Sequence, residues 1–418
     1  MNTADHTEST QAGVATDPLA RIAALDAVRG LAVCGIVLLN VYNFAMPPAG
    51  YFNPMAWGGA GPLPLAIWAV ESIFAQDAFR AIFAMLFGSG FAILWDRGAG
   101  RRFRAHAARM AVLLVLGMAH ALLLSAGDVL RLYAIVGLLL PLFLHLSQRG
   151  LLVAVAVCAV IHMVGLGLVF GDLLIQWRAA PDAAPTGIRW VLEAEFGTMP
   201  SAIEWGLMIG RETINARVMR IIGLWQDQLT ILGLFAPQTL AAMLLGVWGW
   251  RGGLLRGRWK RDHLISLASA CSVIALPVLM ALCGWAFASD FAGVVVGSTA
   301  LVWSQPFAII LGLAYTAALF SHWGRQAFLT GLGGRLAAAG RLSLTNYIGA
   351  SILAGAIYAR WGFGLFAQTD RVETTLIAFG IIATILMASP LWESRYGMGP
   401  LERLWRIAAS GLAGHPRS

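Results

Sequence analysis

Apolar runs of about twenty residues, separated by short polar stretches, recur along this chain from residue 29 to residue 393. A helix needs about 20 mainly apolar residues to cross a bilayer core of ~30 Å, and within that core its backbone groups must satisfy one another. The runs predict ten crossings, at 29–46, 77–95, 110–126, 129–146, 151–176, 229–250, 264–288, 299–320, 342–360 and 374–393. The expected fold is all-α, a polytopic membrane bundle of about ten helices. Composition agrees. Of 418 residues, 59% are hydrophobic and 12% charged, about half the charged share of a soluble domain.

Loop charge then orients the bundle, since short cytoplasmic loops are rich in Lys and Arg. The segment 96–109 carries Arg97, Arg101, Arg102, Arg104 and Arg109 against Asp96, and 251–262 carries Arg251, Arg256, Arg258, Lys260 and Arg261 against Asp262. Arg325 and Arg335 lie between the eighth and ninth runs. Loops of the other parity are nearly neutral or mixed: 47–62 has no charge and 289–298 has only Asp290. Both termini are expected in the cytoplasm. The net charge of +8 is then a property of these loops, not a nucleic-acid footprint. The polar segment 1–24 has no basic and apolar leader pattern, so the first run stays as an anchor. Residues 25–395 read as one membrane domain, with 177–228 lying along the periplasmic interface, and 396–418 as an amphipathic cytoplasmic tail. Leu63–Trp95 would be about 50 Å long as one helix, so a break is expected at Gln76-Asp77, with 63–74 at the outer face. The four cysteines, Cys34, Cys158, Cys271 and Cys283, fall inside apolar runs, which fits packing better than metal or disulfide chemistry. No zinc-ligand spacing, nucleotide loop or flavin fingerprint is present.

A charge inside a crossing helix costs about 2.5–3.5 kcal/mol on insertion scales, so each polar residue there needs a reason. Asp26 and Arg29 pair at i,i+3 in the first run, and Asn40 and Asn43 continue the same face. Asp77 and Arg80 repeat the spacing in the second run. Phe79, Phe83, Phe87 and Phe91 follow at i,i+4 and read as packing or lipid contact. In GMAHALLLSAGDVLRLYA (117–134), His120 sits about 16 Å along its helix from Arg109, Asp128 in the turn, and Arg131 and Tyr133 on the return. Asn40, Asn43, Asp77, Arg80, His120, Asp128 and Tyr133 thus share one depth, which predicts a polar pocket open to the outside. A lone His there would be an interhelical hydrogen bond; seven polar residues favour a site with a neutral His as base. A second polar group, Arg341, Thr345, Asn346 and Ser351, is expected at the inner start of the ninth run.

The stretches LDAVRGLAVCGIVLLN, FRAIFAMLFGSGFA, LGMAHALLLSAGDVLRLYA, LLGVWGWRGGLL, GRLSLTNYI and GPLERLWR together resemble the YeiB-like membrane proteins, the family labelled domain of unknown function 418. That family is similar, more distantly, to transmembrane acyltransferases of the heparan-alpha-glucosaminide N-acetyltransferase type, through the LD-x-x-RG opening. The resemblance implies a multi-pass protein of the bacterial inner membrane, with acyl-CoA as donor and a small molecule or glycan at the outer face as acceptor. If the chain is such an acyltransferase, the polar residues read above would supply His120 as the base, Asp128 or Asp77 as the orienting carboxylate, and Arg80 or Asn40 as the oxyanion partner. Asn43 and Tyr133 would meet the acceptor. Arg29 and Arg341, with Asp26 and Asn346, would meet the donor phosphates. The acetyltransferase branch has a histidine in the loop after its first helix; here 47–62 has none, and His120 is the candidate for that role. The rival readings are a transporter or exporter of a small polar solute, and a non-catalytic membrane partner protein. Homo-oligomerisation is left open.

Overall fold

The computed structural model describes residues 18–97, 102–181, 183–322 and 330–414. The N-terminal tail to residue 17, Arg101 and Arg325 lie outside these residues. The described chain contains helices and no strand. The first half runs α1 Pro18–Asn40, α2 Tyr42–Ala45, α3 Pro48–Phe52, α4 Pro62–Phe74, α5 Ala78–Arg97, α6 Arg102–Leu123, α7 Leu130–Gly137 and α8 Gln148–Ala179. Three short helices follow, α9 Ile188–Phe196, α10 Pro200–Gly210 and α11 Ile214–Gly223. The second half is α12 Trp225–Arg251, α13 Arg261–Ala288, α14 Gly293–Ser298, α15 Gln305–His322, α16 Gly331–Arg341, α17 Ser343–Tyr358, α18 Arg371–Tyr396 and α19 Pro400–Leu412.

Seven helical stretches are long and apolar enough to cross a membrane, and eight with the pair Gly293–Trp303 and Gln305–Ser321, which is bent by 51°. This is the architecture of a multi-pass membrane protein. Two of the ten expected crossings take a different form. The run 129–146 is the eight-residue α7 followed by a 3-10 turn, Leu140–Phe143, because Pro141 has no N–H to continue the α ladder. The run 342–360 is the 16-residue α17, about 24 Å long. The break at Gln76-Asp77 is present, with Asp77 at φ 59°. Yet Pro62–Asp96 counts as one 35-residue stretch, so α4 extends α5 and does not lie flat beside it. Between α8 and α12 the segment expected at the interface forms α9 to α11; Thr213 caps α11 by accepting from the Ala216 N–H at 3.2 Å.

Two close helix crossings hold the bundle, each made by paired glycines. A Cβ on Gly30 would stand 1.9 Å from the Leu336 carbonyl oxygen, and one on Gly340 would stand 1.8 Å from that of Asp26. Between α5 and α12, Gly88 meets the Met243 carbonyl oxygen at 1.9 Å and Gly246 that of Met85 at 1.8 Å by the same measure. Small residues let backbones approach where lipid gives no hydrophobic drive to associate. These glycines lie in VRG, FGSG, LLGVWG and AGRLS, so part of the sequence signature is packing. The first crossing sets Arg29 beside Arg341. The four cysteines are buried and free, as packing residues would be.

A buried ion pair that sequence reading did not single out ties α4 to α18. Arg371 reaches Glu71 at 3.0 Å, donates to the Gly50 carbonyl at 2.6 Å and lies 4.6 Å from the Tyr42 ring centroid. Tyr42 donates to the other Glu71 oxygen at 2.7 Å. Breaking such a pair by removing one partner typically costs about 3–5 kcal/mol.

Candidate functional site

At the turn between α6 and α7, the chain closes on itself through a glycine. A Cβ on Gly117 would stand 2.7 Å from the Arg131 nitrogen and 2.8 Å from Asp128 Oδ2, so only a bare backbone lets α7 begin this close to α6. Asp128 Oδ2 accepts the Arg131 backbone N–H at 2.9 Å, while Asp128 Oδ1 stands 3.0 Å from His120 Nδ1. That contact is close, though its angle falls outside hydrogen-bond alignment. On the other side of the ring, His120 Nε2 lies 2.9 Å from Ser351 Oγ on α17. The Tyr347 ring packs 5.1 Å from the imidazole, and Arg131 donates to the Ala126 carbonyl at 2.8 Å. His120, Asp128, Arg131, Tyr347 and Ser351 are all buried. Carboxylate, imidazole and hydroxyl therefore stand in line inside the bundle.

The register of two helices shows where this cluster sits. On α6, Leu113 lines a cavity toward the arginine-bearing end of the bundle, Gly117 and His120 follow on the same face, and Leu124 just past the helix lines a second cavity at the opposite end. On α17 the same order holds: Leu344 lines the first cavity, Tyr347 and Ser351 come next, and Gly355 lines the second. The i, i+3/i+4, i+7, i+11 spacing keeps all four positions of each helix on one face. The polar cluster is thus a septum between two cavities, whose walls are about 16 Å apart along the helices.

The first cavity holds about 290 Å³. Phe83, Phe87, Phe91 and Met110 form its apolar wall, and Arg29, Arg109 and Arg341 stand among its lining. Arg29 pairs with Asp26 at 2.9 Å, and Arg341 with Glu393. Glu402 lines the same cavity and caps α17, accepting the Leu344 N–H at 2.8 Å.

The second cavity holds about 260 Å³ and is lined by Asn43, Glu195, Trp205, Glu212, Arg217 and Arg220, among others. Arg217 donates to the Leu124 carbonyl at 2.8 Å, closing the end of α6. Burial pushes the Glu195 carboxyl up to about 7, partly opposed by the charge of Arg220. Burial also acts to raise Glu212, but the hydrogen bonds and charges of Arg220 and Arg217 more than offset it and hold Glu212 below its ordinary range. Arg220 Nη2 reaches Glu212 at 2.7 Å.

The comparisons with known proteins bear on the whole length. The Escherichia coli (strain K12) protein "Uncharacterized protein YeiB" is 27% identical over 397 residues, covering 93% of this chain and 96% of that protein. The Bacillus subtilis (strain 168) protein "Uncharacterized protein YxaH" is 26% identical over 406 residues, covering 93% and 94%. Residues 249–411 match the family described as "Protein of unknown function (DUF418)". The chain is thus similar to the YeiB-like proteins along nearly its whole length, and its C-terminal part matches the DUF418 family.

The seven polar residues expected to share one pocket occupy separate places. His120 and Asp128 form the septum. Asn43 lines the second cavity, and Asn40 lines neither cavity. Asp77 and Arg80 pair at 2.8 Å and share Gln305, which accepts from Arg80 at 3.0 Å, so neither reaches His120. Tyr133 faces the first cavity, with its hydroxyl donating to the Arg80 carbonyl at 2.9 Å. Sequence sets depth along a helix, but the direction each side chain faces depends on tertiary packing, and that separates these residues. Of the residues expected at the donor, Arg29 and Arg341 line the first cavity. Asp26 is held between those two arginines, and Asn346 donates to the Ala339 carbonyl at 2.9 Å and to Ser389 at 3.0 Å. Ser351, expected at the inner end of its helix, lies against His120 instead. It stands eight residues from the start of a 16-residue helix, which is mid-depth, and that length was the signal available. The phenylalanine ladder, read as lipid contact or packing, packs in and against the core, and Phe83, Phe87 and Phe91 of it also wall the first cavity.

Proposed function

We propose that this protein is an inner-membrane acyltransferase that takes an acyl group from cytoplasmic acyl-CoA and delivers it to an acceptor at the outer face. In this reading the chain makes ten crossings, α7 with its 3-10 turn and the short α17 among them, and both termini are cytoplasmic. The arginine-rich loop 251–262 supports that orientation. The observation that carries the proposal is the septum: a base, its carboxylate and a hydroxyl stand between two cavities facing opposite ends of the bundle. The apolar wall and the arginines of the first cavity suit an acyl chain attached to a phosphate-bearing carrier. The charged second cavity suits a polar acceptor. His120 acts as general base, and Asp128 holds its proton at Nδ1 and stabilises the imidazolium that forms. Apo geometry of such contacts is often loose and tightens with substrate.

The test is octanoyl-CoA binding and release of free CoA thiol by the purified protein, with His120→Ala beside it. Loss of release with binding retained supports the assignment. A second reading, export of a polar solute, is favoured by the 51° bend at Ser304, just after the π-helical turn Thr299–Trp303, since broken helices recur in transporters. Solute flux into vesicles without thiol release would favour it.

A further inference from the structure

We infer that Ser351 carries the acyl group across the septum as a covalent ester, a deepening that rests on the acyltransferase reading above. The two cavities do not merge. About 16 Å of helix separates Leu113 from Leu124, so a thioester held in the first cavity and an acceptor held in the second have no contact. Ser351 is the hydroxyl between them. It is one turn from Gly355, which lines the second cavity, and its Oγ stands 2.9 Å from His120 Nε2.

The proton arrangement favours a nucleophile. Asp128 Oδ1 lies 3.0 Å from Nδ1; although this contact is not aligned as a hydrogen bond, a carboxylate at that distance favours the ring proton on Nδ1 and leaves Nε2 as an acceptor. The single Ser351 proton can go to Nε2 at 2.9 Å or to the Tyr347 carbonyl at 3.3 Å. The bare imidazole nitrogen is the shorter and more basic choice. This is the geometry by which a weakly acidic hydroxyl is activated by an adjacent base, itself oriented by a third group.

In the first half-reaction the Ser351 oxygen attacks the thioester carbonyl and His120 Nε2 takes the hydroxyl proton. The C–S bond breaks, and CoA leaves as the thiol after receiving that proton. In the second, an acceptor hydroxyl or amine entering from the second cavity attacks the Ser351 ester carbonyl and gives its proton to Nε2. The C–Oγ bond breaks and Ser351 recovers the proton. Asp128 remains a carboxylate throughout. Tyr347, between Leu344 and Ser351 on the same face of α17, is the ring that must turn aside for the thioester to reach Oγ.

The test incubates the purified full chain with octanoyl-CoA alone, then takes the intact mass and maps the modified peptide. The relay predicts an octanoyl adduct on the peptide containing Ser351, absent in Ser351→Ala and His120→Ala, and chased off when an acceptor is added. Ser351→Cys should still be labelled, now as a thioester that neutral hydroxylamine removes, while the wild-type ester resists. Transfer by Ser351→Ala should fall by at least about a hundredfold, with unchanged elution and unfolding temperature. If Ser351→Ala does not fold, labelling of the folded Ser351→Cys protein at its introduced thiol decides the matter. Wild-type transfer that persists undiminished in Ser351→Ala overturns the relay and leaves His120 acting directly on the acceptor. A wild type that neither transfers nor becomes labelled overturns both readings.

Discussion

The two cavities are nearly equal in size, about 290 and 260 Å³, and differ in the balance of apolar and charged side chains that line them. One is walled by phenylalanines, with arginines among its lining. The other is lined by two arginines, two glutamates and tryptophans. Solutes moved unchanged between two faces would meet similar chemistry on each side. On the proposed acyltransferase reading, the difference suits two unlike ligands that exchange a group at the septum. The first cavity owes its shape to helix faces inside the bundle, whereas the second is roofed by the short helices α10 and α11.

The contrast between the cavities can be broken at the crossing that builds the first of them. Gly340→Leu places a side chain on the Asp26 backbone, where even a Cβ would stand 1.8 Å away. The expected result is loss of the assembled protein, read as failure to recover a monodisperse peak in detergent. Gly117→Leu acts on the septum alone. By forcing Asp128 and Arg131 away from α6, it should lower acyl transfer by about 10²-fold while octanoyl-CoA still binds, and assay and binding together check this. Phe87→Trp sharpens the chemistry of the first cavity: it should weaken binding of the longest acyl chains about tenfold and spare acetyl-CoA, measured by titration across a chain-length series.

The second cavity makes a pH prediction. Glu195 lies near 7 because burial disfavours its ionised form, so it is largely neutral below that pH and negative above. With Arg217 and Arg220 opposed by an ionised Glu212, the cavity carries a net positive charge when Glu195 is neutral and loses it once Glu195 ionises. Sulfate binding should therefore weaken as pH rises through about 7, by less than about fivefold for a partly solvated charge pair. In Glu195→Gln it should be flat at the low-pH level. The linkage has the matching sign: a raised carboxyl stabilises the fold fully below its unfolded value, and this stability is lost as pH rises through about 7. Thr213→Ala, of comparable size, removes the cap of α11 and should cost about 1 kcal/mol, seen as a slightly lower melting temperature.

Helix type was legible because long apolar runs have few alternatives, whereas the ten expected crossings stand against seven or eight long apolar helical stretches among the described residues. The His120–Asp128 contact was legible too, since a Gly-Asp turn eight residues after a histidine folds them together locally. Ser351 was not, because it reaches His120 from 231 positions away, and no local pattern fixes which face of α17 meets α6. The phenylalanine ladder was legible as packing but not as a cavity wall, for a related reason. An apolar stripe has the same spacing whether it faces lipid, another helix or a cavity. The run 129–146 reads as an ordinary crossing, and Pro141, in its 3-10 turn, is the signal that reading overlooks; a proline shows where a ladder breaks and not how the chain continues.

The septum is tested most directly by one measurement, the rate of CoA thiol release from octanoyl-CoA by wild-type protein and by His120→Ala, with donor binding measured on the same samples. A catalytic septum predicts release by the wild type, a drop of about 10²–10⁴-fold in His120→Ala, and equal binding by both. Equal release by the two proteins would contradict it.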